Sequence, residues 1–597
     1  MNLREYAAYR NEFALAGGAA TQPEFSDPSV LGDGANWQDA LFRRTSLNKH
    51  VVSLSGGNDK TTFYFSGEYF DQQGIATGSG FKRYSTRINI ENKTRSWLKI
   101  GTSLGVSQTK EIVNISNGGI LNIAIQQNPG VPVKNPDGSW GGPTSTQYQF
   151  TNPVALSLIN DNRNKSLSFT GGLNADITFT KGLTLQLQGN TYYSYNNNYS
   201  FNPSYQFGGY KNTTTTASRY SGNSYWWGLN QRLQYETKIG RHAITAMVGH
   251  EATENASEGL SGARNNFVSN NVQELSGGDA LTATNASSKG SSAAEGYFGR
   301  LNYMFNDKYI FQASYRADAS SNFGADNKWG YFPSVSAAWR ISQEAFMKDI
   351  PAINDLKLRV EYGVAGNSNA GGIYAKLQAI PTIWGTGFLA VNFPNPKLQW
   401  ETDKTANIGL DLRMFNNRIE LIADVYQKKI SNLLTTNVYP YYSGGDISWS
   451  PGYIQFPTTN VGNMENRGFG ITLNTVNIQK PFAWKTGFNI SVDRNKITQL
   501  NDGLPIITPY GNSALQSISA VGSPAALLTG YIAEGLFQSI DEVRKHAIQT
   551  SNRLLTVSPN QGTWVGDVKY KDINSDGFID EKDRTVIGNP WPKFTYG

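Results

Sequence analysis

Hydrophobic and polar residues alternate along a central stretch of the chain, residues 295–340. Tyr297 and Leu301 belong to its apolar set, and Arg300 and Asn302 belong to its polar set. A period of two places successive side chains on opposite faces of a β-strand, so the pattern predicts strands with one apolar face and one polar face. The predicted strands have about ten or more residues, whereas about 5–6 are usual in soluble proteins. Long two-faced strands joined by tight turns are typical of a transmembrane β-barrel.

The same alternation recurs through most of the chain. Its clearest hairpin is predicted for residues 406–414 and 419–425, with two asparagines at the turn. We count about sixteen such strands and the start of another at Lys593. The connections alternate between turns of about 2–5 residues, apart from residues 343–355, and loops that often exceed about 25 residues, such as the polar stretch 253–292. This asymmetry is typical of the periplasmic and extracellular ends of an outer-membrane barrel.

The pattern therefore predicts an all-β protein, a transmembrane antiparallel β-barrel with long extracellular loops. We expect residues 1–48 to form an extracellular segment with a short helix, and residues 49–500 to supply the barrel strands and their loops. Residues 501–590 are expected to form one long extracellular loop, and residues 591–597 to begin the next strand. The alternative is a soluble β-sandwich or β-repeat adhesin, which would need shorter strands and no outward-facing aromatic residues.

The composition agrees with a barrel and excludes several other classes. The 597 residues include 61 Gly, 31 Tyr and 29 Phe but only 16% charged residues, and no run approaches the roughly 18 apolar residues of a membrane helix. The mean hydropathy of −0.43 is no objection, because half of each barrel strand is polar and faces the lumen. The net charge of +6 is modest, and no basic cluster interleaves with aromatic residues, so nucleic acid is not expected as a partner. Without cysteine, disulfides and thiolate metal sites are excluded.

Seven segments, in order along the chain, resemble the SusC/RagA type of TonB-dependent outer-membrane transporter. They are Asn36–Phe42, Leu54–Thr61, Arg316–Gly324, Trp329–Val335, Val360–Asn367, Asn460–Gly468 and Val586–Pro590. Each segment alone is a weak signal, whereas seven in family order are specific.

The resemblance implies a barrel of 22 strands closed by an N-terminal plug, of which this chain would supply about 16 strands. It implies an integral protein of a Gram-negative outer membrane, of the Bacteroidetes kind, surrounded by outer-membrane lipid. Such proteins import glycans or peptides together with a SusD-like surface lipoprotein, and the TonB–ExbB–ExbD complex supplies the energy. We expect the chain to be partial, because no plug, TonB box or signal sequence precedes Met1 and the last strands are missing after Gly597.

One local motif predicts a calcium site in the long 501–590 loop. Oxygen-bearing side chains occupy positions 1, 3, 5, 9 and 12 of an EF-hand-like loop, with a carbonyl available at position 7. These residues are Asp572, Asn574, Asp576, Asp580 and Asp583, with the carbonyl of Phe578. Gly577 occupies position 6, where the EF-hand loop turns sharply. Asp583 replaces the usual bidentate Glu and no flanking helices are evident, so a linker rich in Asx turns, without an ion, is the alternative. The expected Ca²⁺ would be structural rather than regulatory, and no other cofactor is expected.

The same long loop is predicted to contact the surface lipoprotein. Its Ser539–Glu542 segment has the spacing of a capping box, which predicts a short helix through about Ile548. The contact with the lipoprotein is implied by the resemblance, and a self-packed loop that covers the barrel mouth is the alternative.

Aromatic residues in other loops are candidates for binding ligand, because the apolar faces of sugar rings stack on aromatic side chains. The candidates are Trp140, Tyr441, Tyr442 and Trp449. The alternative is that these rings belong to the interfacial girdles and loop packing of any barrel.

Charged residues on the predicted lumen face are expected to solvate the interior or to pair with a plug. They are Arg300, Arg316, Asp318, Arg359, Glu361 and Arg413. The four histidines are scattered, and no HExxH pair or Walker loop is present, so the chain is not expected to be an enzyme. A passive porin-like channel and a non-transporting surface β protein are the alternative functions.

Overall fold

The computed structural model describes residues 1–597 except 117–118, 144–149, 372, 437–453, 455, 501–502, 511–514 and 559–560. Among these described residues, seventeen strands form one sheet: β1 (Leu47–Gly57), β2 (Thr61–Gln73), β3 (Ser79–Arg95), β4 (Leu98–Val113), β5 (Asp161–Thr180), β6 (Leu183–Asn202), β7 (Thr216–Ile239), β8 (His242–Asn265), β9 (Thr284–Phe305), β10 (Tyr309–Ser320), β11 (Trp329–Arg340), β12 (Ile353–Asn367), β13 (Glu401–Met414), β14 (Ile419–Ser431), β15 (Gly462–Ile478), β16 (Trp484–Leu500) and β17 (Thr595–Tyr596). Each strand pairs antiparallel with the next strand along the chain. The predicted all-β barrel wall of about sixteen strands, with the start of another, is confirmed.

The two faces of the sheet differ as the alternation predicts. Leu301 on β9 pairs with Ala313 on β10, which pairs with Val335 on β11, which pairs with Tyr362 on β12. The three large side chains of this row are exposed, at 42–45% of their surface, although they are apolar. A continuous apolar face of this kind is the face that a barrel turns toward lipid. The opposite face carries the charged residues described below.

Asn and Asp occupy two of the short turns at one end of the sheet. Asn306 and Asp307, between β9 and β10, have φ values of 54° and 57°. Asn416 and Asn417, between β13 and β14, have φ values of 58° and 61°. Short polar residues tolerate this left-handed backbone, whose twist suits a tight hairpin. The turns therefore lie where the sequence predicts them.

Three neighbouring strands are much longer than the membrane requires. β7 and β8 have 24 residues each and β9 has 22, whereas β10 and β11 have 12 each. At roughly 3.3 Å per residue and a tilt of roughly 40°, 24 residues rise about 60 Å, more than twice the roughly 25 Å apolar band of such barrels. The prediction that residues 253–292 form a loop was wrong for most of that range. These strand ends lie beyond the lipid, so both faces are polar and the alternation disappears.

In the described part of the chain, five helices and several small strands lie outside the wall. The helices are α1 (Leu3–Ala16), α2 (Trp37–Leu41), α3 (Ile120–Gln126), α4 (Pro153–Ile159) and α5 (Ile540–Lys545). The small strands are Tyr205–Phe207, Tyr210–Asn212, Leu377–Thr382, Gly385–Ala390, Leu434–Thr436, Thr458–Asn460, Ile506–Tyr510, Leu515–Ser519, Leu527–Gly530, Ala533–Leu536, Val568–Tyr570 and Thr585–Gly588. Single turns of 3₁₀ helix occur at Pro23–Phe25, Pro28–Val30, Asn114–Ser116, Leu275–Gly277, Ala280–Thr282, Ala325–Asn327, Ile341–Gln343, Ala345–Met347 and Glu581–Asp583. None of the helices within the described ranges is long and apolar enough to cross a membrane.

The largest buried apolar cluster in the described part of the chain lies in the loops, and we call it the extracellular core. It joins α2, α3 and α4, with Phe207 at its edge. Its buried members are Trp37, Leu41, Ile120, Ala124, Val131, Val154, Ala155, Leu156 and Phe207. A smaller buried cluster lies at the ends of two wall strands, where Tyr199 and Phe201 on β6 pack with Ala217 on β7 and with Phe267. The extracellular core therefore holds the N-terminal segment and the loop between β4 and β5 together as one unit.

Candidate functional site

Charged side chains on the lumen face of β12, β13 and β14 form a network around Arg359. Arg359 lies opposite Gly409, and Gly409 lies opposite Asp424, so the three occupy one row across three strands. The Arg359 Nη2 atom lies 3.0 Å from Asp424 Oδ1 and 3.1 Å from Asp411 Oδ1. A Cβ atom at position 409 would come within 2.6 Å of the guanidinium, so the glycine makes room for Arg359 to reach across it.

The network extends beyond these three strand positions. The Nη1 atom of Arg359 lies 3.3 Å from Glu361 Oε1, and Lys357 Nζ lies 2.7 Å from Asp411 Oδ2. The predicted lumen residues Arg359 and Glu361 are therefore brought together. Their partners Asp411 and Asp424 were not predicted as site residues, because only strand register shows that they face Arg359.

A second charged group lines the lumen face of β8 and β10. The predicted residues Arg316 and Asp318 form an ion pair, with 2.7 Å between Nε and Oδ2. Arg316 also lies 3.0 Å from Glu251 Oε2, and its guanidinium lies 5.2 Å from the ring centroid of Phe298. The wall thus presents paired charges and hydrogen-bonding groups to the lumen at two separate places.

The other predicted lumen charges are more isolated. Arg413 lies 2.8 Å from Glu420 on the next strand, and both side chains are near the short-turn end. Arg300 has no ion-pair partner among the residues that the structure describes. A polar wall of this kind can solvate a hydrophilic ligand.

Buried polar groups hold the N-terminal segment and the loop between β4 and β5 together in the extracellular core. The Trp37 indole Nε1–H donates to the Asn128 carbonyl at 3.1 Å. Asn152 is completely buried, accepts from the Ala155 N–H at the start of α4, and donates to the carbonyls of Val133 and Gly141. A buried amide needs its hydrogen-bond partners in place, so the Asn152 side chain specifies one geometry for this loop. Only the Asn-Pro start of α4 could have been identified from the sequence.

The aromatic ligand candidates do not form a described cluster. Trp140 is half-buried and packs against the extracellular core, and Lys134 Nζ lies 4.8 Å from its ring centroid. Tyr441, Tyr442 and Trp449 lie outside the described residues. The Trp140 ring is therefore in contact with its own loop, and its role in ligand binding stays a prediction.

The loop of residues 572–583 is organised by its own side-chain oxygens. Asp572 accepts from the N–H groups of Ser575 and Gly577, at 2.7 and 2.8 Å. Gly577 has a φ of 83°, which places the sharp turn at the predicted position. Asp583 is completely buried and accepts from the N–H groups of Ile573 and Asp580, each at 2.9 Å. These bonds hold the candidate ligands in one compact loop.

The carboxylates of that loop also have basic neighbours. Asp580 is ion-paired with Arg553, and Lys582 Nζ lies 3.9 Å from Asp576 Oδ2. The Lys582 backbone N–H and then Arg553 hold the pKa of Asp580 below its ordinary value. Within the described ranges, no three acidic, His or Cys side chains are close enough together to hold a metal ion. The calcium site therefore stays a prediction, and an ion would have to displace Arg553.

Helix α5 begins as predicted but ends earlier. The Ser539 hydroxyl accepts from the Glu542 N–H at 3.2 Å. The Glu542 carboxylate, however, accepts from the Gln538 N–H at 2.8 Å, one residue before the predicted donor. The Gln538 N–H and Lys569 together lower the pKa of Glu542. The helix ends at Lys545 rather than Ile548, because Ile548 is extended and pairs with Phe578 of the 572–583 loop.

Comparison with known proteins gives one family. A family model described as "TonB dependent receptor-like, beta-barrel" matches residues 106–585. TonB-dependent receptor P3 of Formosa agariphila is 29% identical over 613 residues, covering 97% of this chain and 58% of that protein. TonB-dependent receptor SusC of Bacteroides thetaiotaomicron is 28% identical over 550 residues, covering 84% of this chain and 51% of that protein. The chain thus spans little more than half the length of these curated relatives.

A solved structure shows the same fold. The structure described as that of the RagAB peptide transporter superposes with a TM-score of 0.78 at 22% identity, over 100% of this chain and 64% of that chain. The predicted resemblance and the outer-membrane location are confirmed by these comparisons, and this family transports rather than catalyses. The chain belongs to the TonB-dependent receptor family, as an outer-membrane barrel of the SusC/RagA type.

Proposed function

We propose that this barrel serves the TonB-dependent import of glycans or peptides across the outer membrane. The observation that carries the proposal is the contrast between the two faces of one sheet. The outer face is apolar over its central rows, whereas the lumen face holds the networks around Arg359 and Arg316. A hydrophilic ligand passing along the lumen face would meet fixed donors and acceptors, whereas acyl chains would meet apolar side chains on the central rows of the outer face.

The ligand classes are taken from the relatives. One structural relative is described as a peptide transporter, and SusC is a curated sequence relative. Both glycans and peptides present many hydrogen-bonding groups, and paired carboxylates and guanidinium groups can bind either class. This chain would contribute the wall and the extracellular loops.

We propose two partners, a SusD-like surface lipoprotein and the TonB–ExbB–ExbD complex. The lipoprotein would dock on the extracellular loops, and residues 501–590 would contribute to that contact. In support, the described parts of that region contain six small strands and α5, with Val543 and Phe537 buried beneath them. A folded loop with its own buried side chains can present a defined surface, whereas the alternative is that it only covers the barrel mouth.

Uptake by whole cells tests the proposal. The gene would be deleted and restored in its host, with and without a functional TonB complex, and growth would be measured on single glycans and on peptide mixtures. We expect growth on at least one ligand class to require both the gene and TonB. Growth that needs the gene but not TonB would show a passive channel. Growth that needs neither, with the protein recovered in the aqueous fraction without detergent, would show a non-transporting surface protein.

We also propose that the 572–583 loop binds Ca²⁺ through Asp572, Asn574, Asp576, Asp580 and Asp583 and the Phe578 carbonyl. The ligand spacing and the left-handed turn at Gly577 support it. At a Ca²⁺ concentration of 100 times Kd, binding would stabilise the folded loop by about 2.7 kcal/mol. Calcium should therefore slow proteolysis of this loop in the unaltered protein and not in Asp576→Asn. Asp541→Asn, on the exposed face of α5, is the control that should keep the response.

A further inference from the structure

Three lysines lie side by side on the outer face of the wall. Lys82 on β3 is directly opposite Lys110 on β4, and Lys110 is directly opposite Lys165 on β5. All three side chains are exposed. We call this set the lysine row. Neighbouring strands are about 4.8 Å apart, so the three lysines span roughly 10 Å.

The register places the lysine row on the lipid-facing side. Tyr84 and Leu167, each two residues from a lysine along its strand, point the same way and are 55% and 46% exposed. Val106 and Phe169, opposite each other in the next apolar row, are exposed on the same face. The lysines lie beyond these rings and aliphatic groups, toward the long-loop end of the strands. They therefore lie just outside the apolar band, at the depth of the lipid headgroups on the extracellular side.

Little negative charge faces the lysine row. Lys82 Nζ lies 3.0 Å from Asp71, which is opposite it on β2. Lys110 and Lys165 have no carboxylate within ion-pair distance among the described residues. Arg163 and Asp161, which follow on the same face of β5, pair with each other. The row therefore keeps a net positive charge.

Like charges directly opposite one another on a sheet destabilise it. Three in succession are unfavourable unless an anion shares them. Lysine binds phosphate as a point charge with three donors, and a phosphate can accept from more than one lysine. The apolar rows next to the lysines would meanwhile contact acyl chains, which a free phosphate does not have.

We propose that the lysine row binds the phosphorylated headgroup of a glycolipid in the outer leaflet of the membrane. The headgroup phosphate would lie between Lys110 and Lys165, with Lys82 at its edge, and the acyl chains would lie along Val106 and Phe169. The proposal does not depend on which ligand the lumen transports.

The test is a count of bound lipid on the purified full-length protein in detergent by native mass spectrometry, with bis-phosphorylated lipid A as the probe. The altered protein carries Lys82→Gln, Lys110→Gln and Lys165→Gln. The control carries Lys60→Gln, Lys93→Gln and Lys181→Gln, which remove the same charge from exposed lysines at the short-turn end of the wall, in the β1–β2 turn, on β3 and in the β5–β6 turn. We expect the control variant to bind its tightest lipid A molecule as strongly as the unaltered protein does. The variant with the altered lysine row should bind lipid A at least tenfold more weakly.

Two further arms identify the source of the phosphate. Dephosphorylated lipid A should bind the unaltered protein at least tenfold more weakly, and inorganic phosphate at the lipid concentration should not displace lipid A. Equal lipid A affinity in the row variant and the control would overturn the proposal, as would equal affinity for the dephosphorylated lipid. Displacement by inorganic phosphate would assign the row to the free ion and also overturn it. Heat-modifiable migration on a denaturing gel shows that each variant is folded before it is measured.

Discussion

Trp564 donates its indole N–H to the carbonyl of Ala16, at 3.1 Å, although the two residues are 548 positions apart. Ala16 is the last residue of α1, where helix carbonyls lack partners within the helix. Trp564 belongs to the long loop before β17. The bond thus links the beginning of the chain to a loop near its end, both of them outside the barrel wall.

Replacing Trp564 with Phe should loosen α1 while leaving the wall intact. The change keeps an aromatic ring and removes one donor, which is worth about 0.5–1.5 kcal/mol. Hydrogen exchange should therefore become several-fold faster in α1. Trp591→Phe is the matched control, because its indole donates to Ala525 instead. Equal exchange of α1 in both variants would contradict the prediction.

Leu41→Ala should unfold the extracellular core before the barrel. Leu41 is completely buried in that core, and such a truncation costs about 2–5 kcal/mol. Limited proteolysis should then cut within α3 and α4, while the wall stays resistant. Leu15→Ala, at a side chain that is 68% exposed, should leave the digestion pattern unchanged. Simultaneous loss of the wall would show that the two units unfold together.

Arg359→Met should destabilise the wall more than Arg413→Met. Arg359 neutralises Asp411 and Asp424 together, whereas Arg413 has one partner and is half exposed. An exposed pair contributes about 0–1 kcal/mol, so the urea midpoint should fall clearly only for Arg359→Met. Adding Asp411→Asn and Asp424→Asn should restore part of the loss, because the unpaired carboxylates are then removed. If the triple variant were no more stable than Arg359→Met, charge pairing would not be the cause.

Glu344 should make the turn between β11 and β12 sensitive to acid. Its carboxylate accepts from Lys308, Tyr309 and Trp339, and these bonds lower its pKa from 4.5 to about 2. A lowered carboxyl pKa contributes stability that is complete above pH 4.5 and lost as the pH falls toward 2. The difference in unfolding temperature between the unaltered protein and Glu344→Gln should therefore be largest near pH 7 and disappear near pH 2. A difference that is constant with pH would indicate a packing effect.

The wall could be predicted from the sequence because lipid imposes the alternation. Residues 406–414 and 419–425 show this most clearly, and their strands and turn lie as predicted. The prediction of a loop was wrong at residues 253–265, because that part of β8 lies beyond the lipid, where neither face of the strand needs to be apolar. The extracellular core was not predicted, since contacts such as Trp37 with Asn128 join segments 91 residues apart and leave no local pattern.

The candidate sites were predicted less completely than the fold. The two-residue period of a strand places Arg316, Asp318, Arg359 and Glu361 on the lumen face. Their ion-pair partners on other strands depend on the register between strands, which the period does not give. The spacing of Asp572 and Gly577 indicates the sharp loop correctly. The contact of Arg553 with Asp580 comes from a distant part of the same loop, and no spacing rule reveals it.

The unequal strand lengths mean that the mouth of this barrel is not level. β7, β8 and β9 extend far beyond the membrane surface, while the neighbouring strands β10 and β11 end close to it. At about 3.3 Å per residue, the step between the two sides is roughly 30 Å after allowance for tilt. The height of the rim above the membrane is thus set by how many residues each strand continues after it leaves the lipid, and it is lowest at β10 and β11 among these five strands.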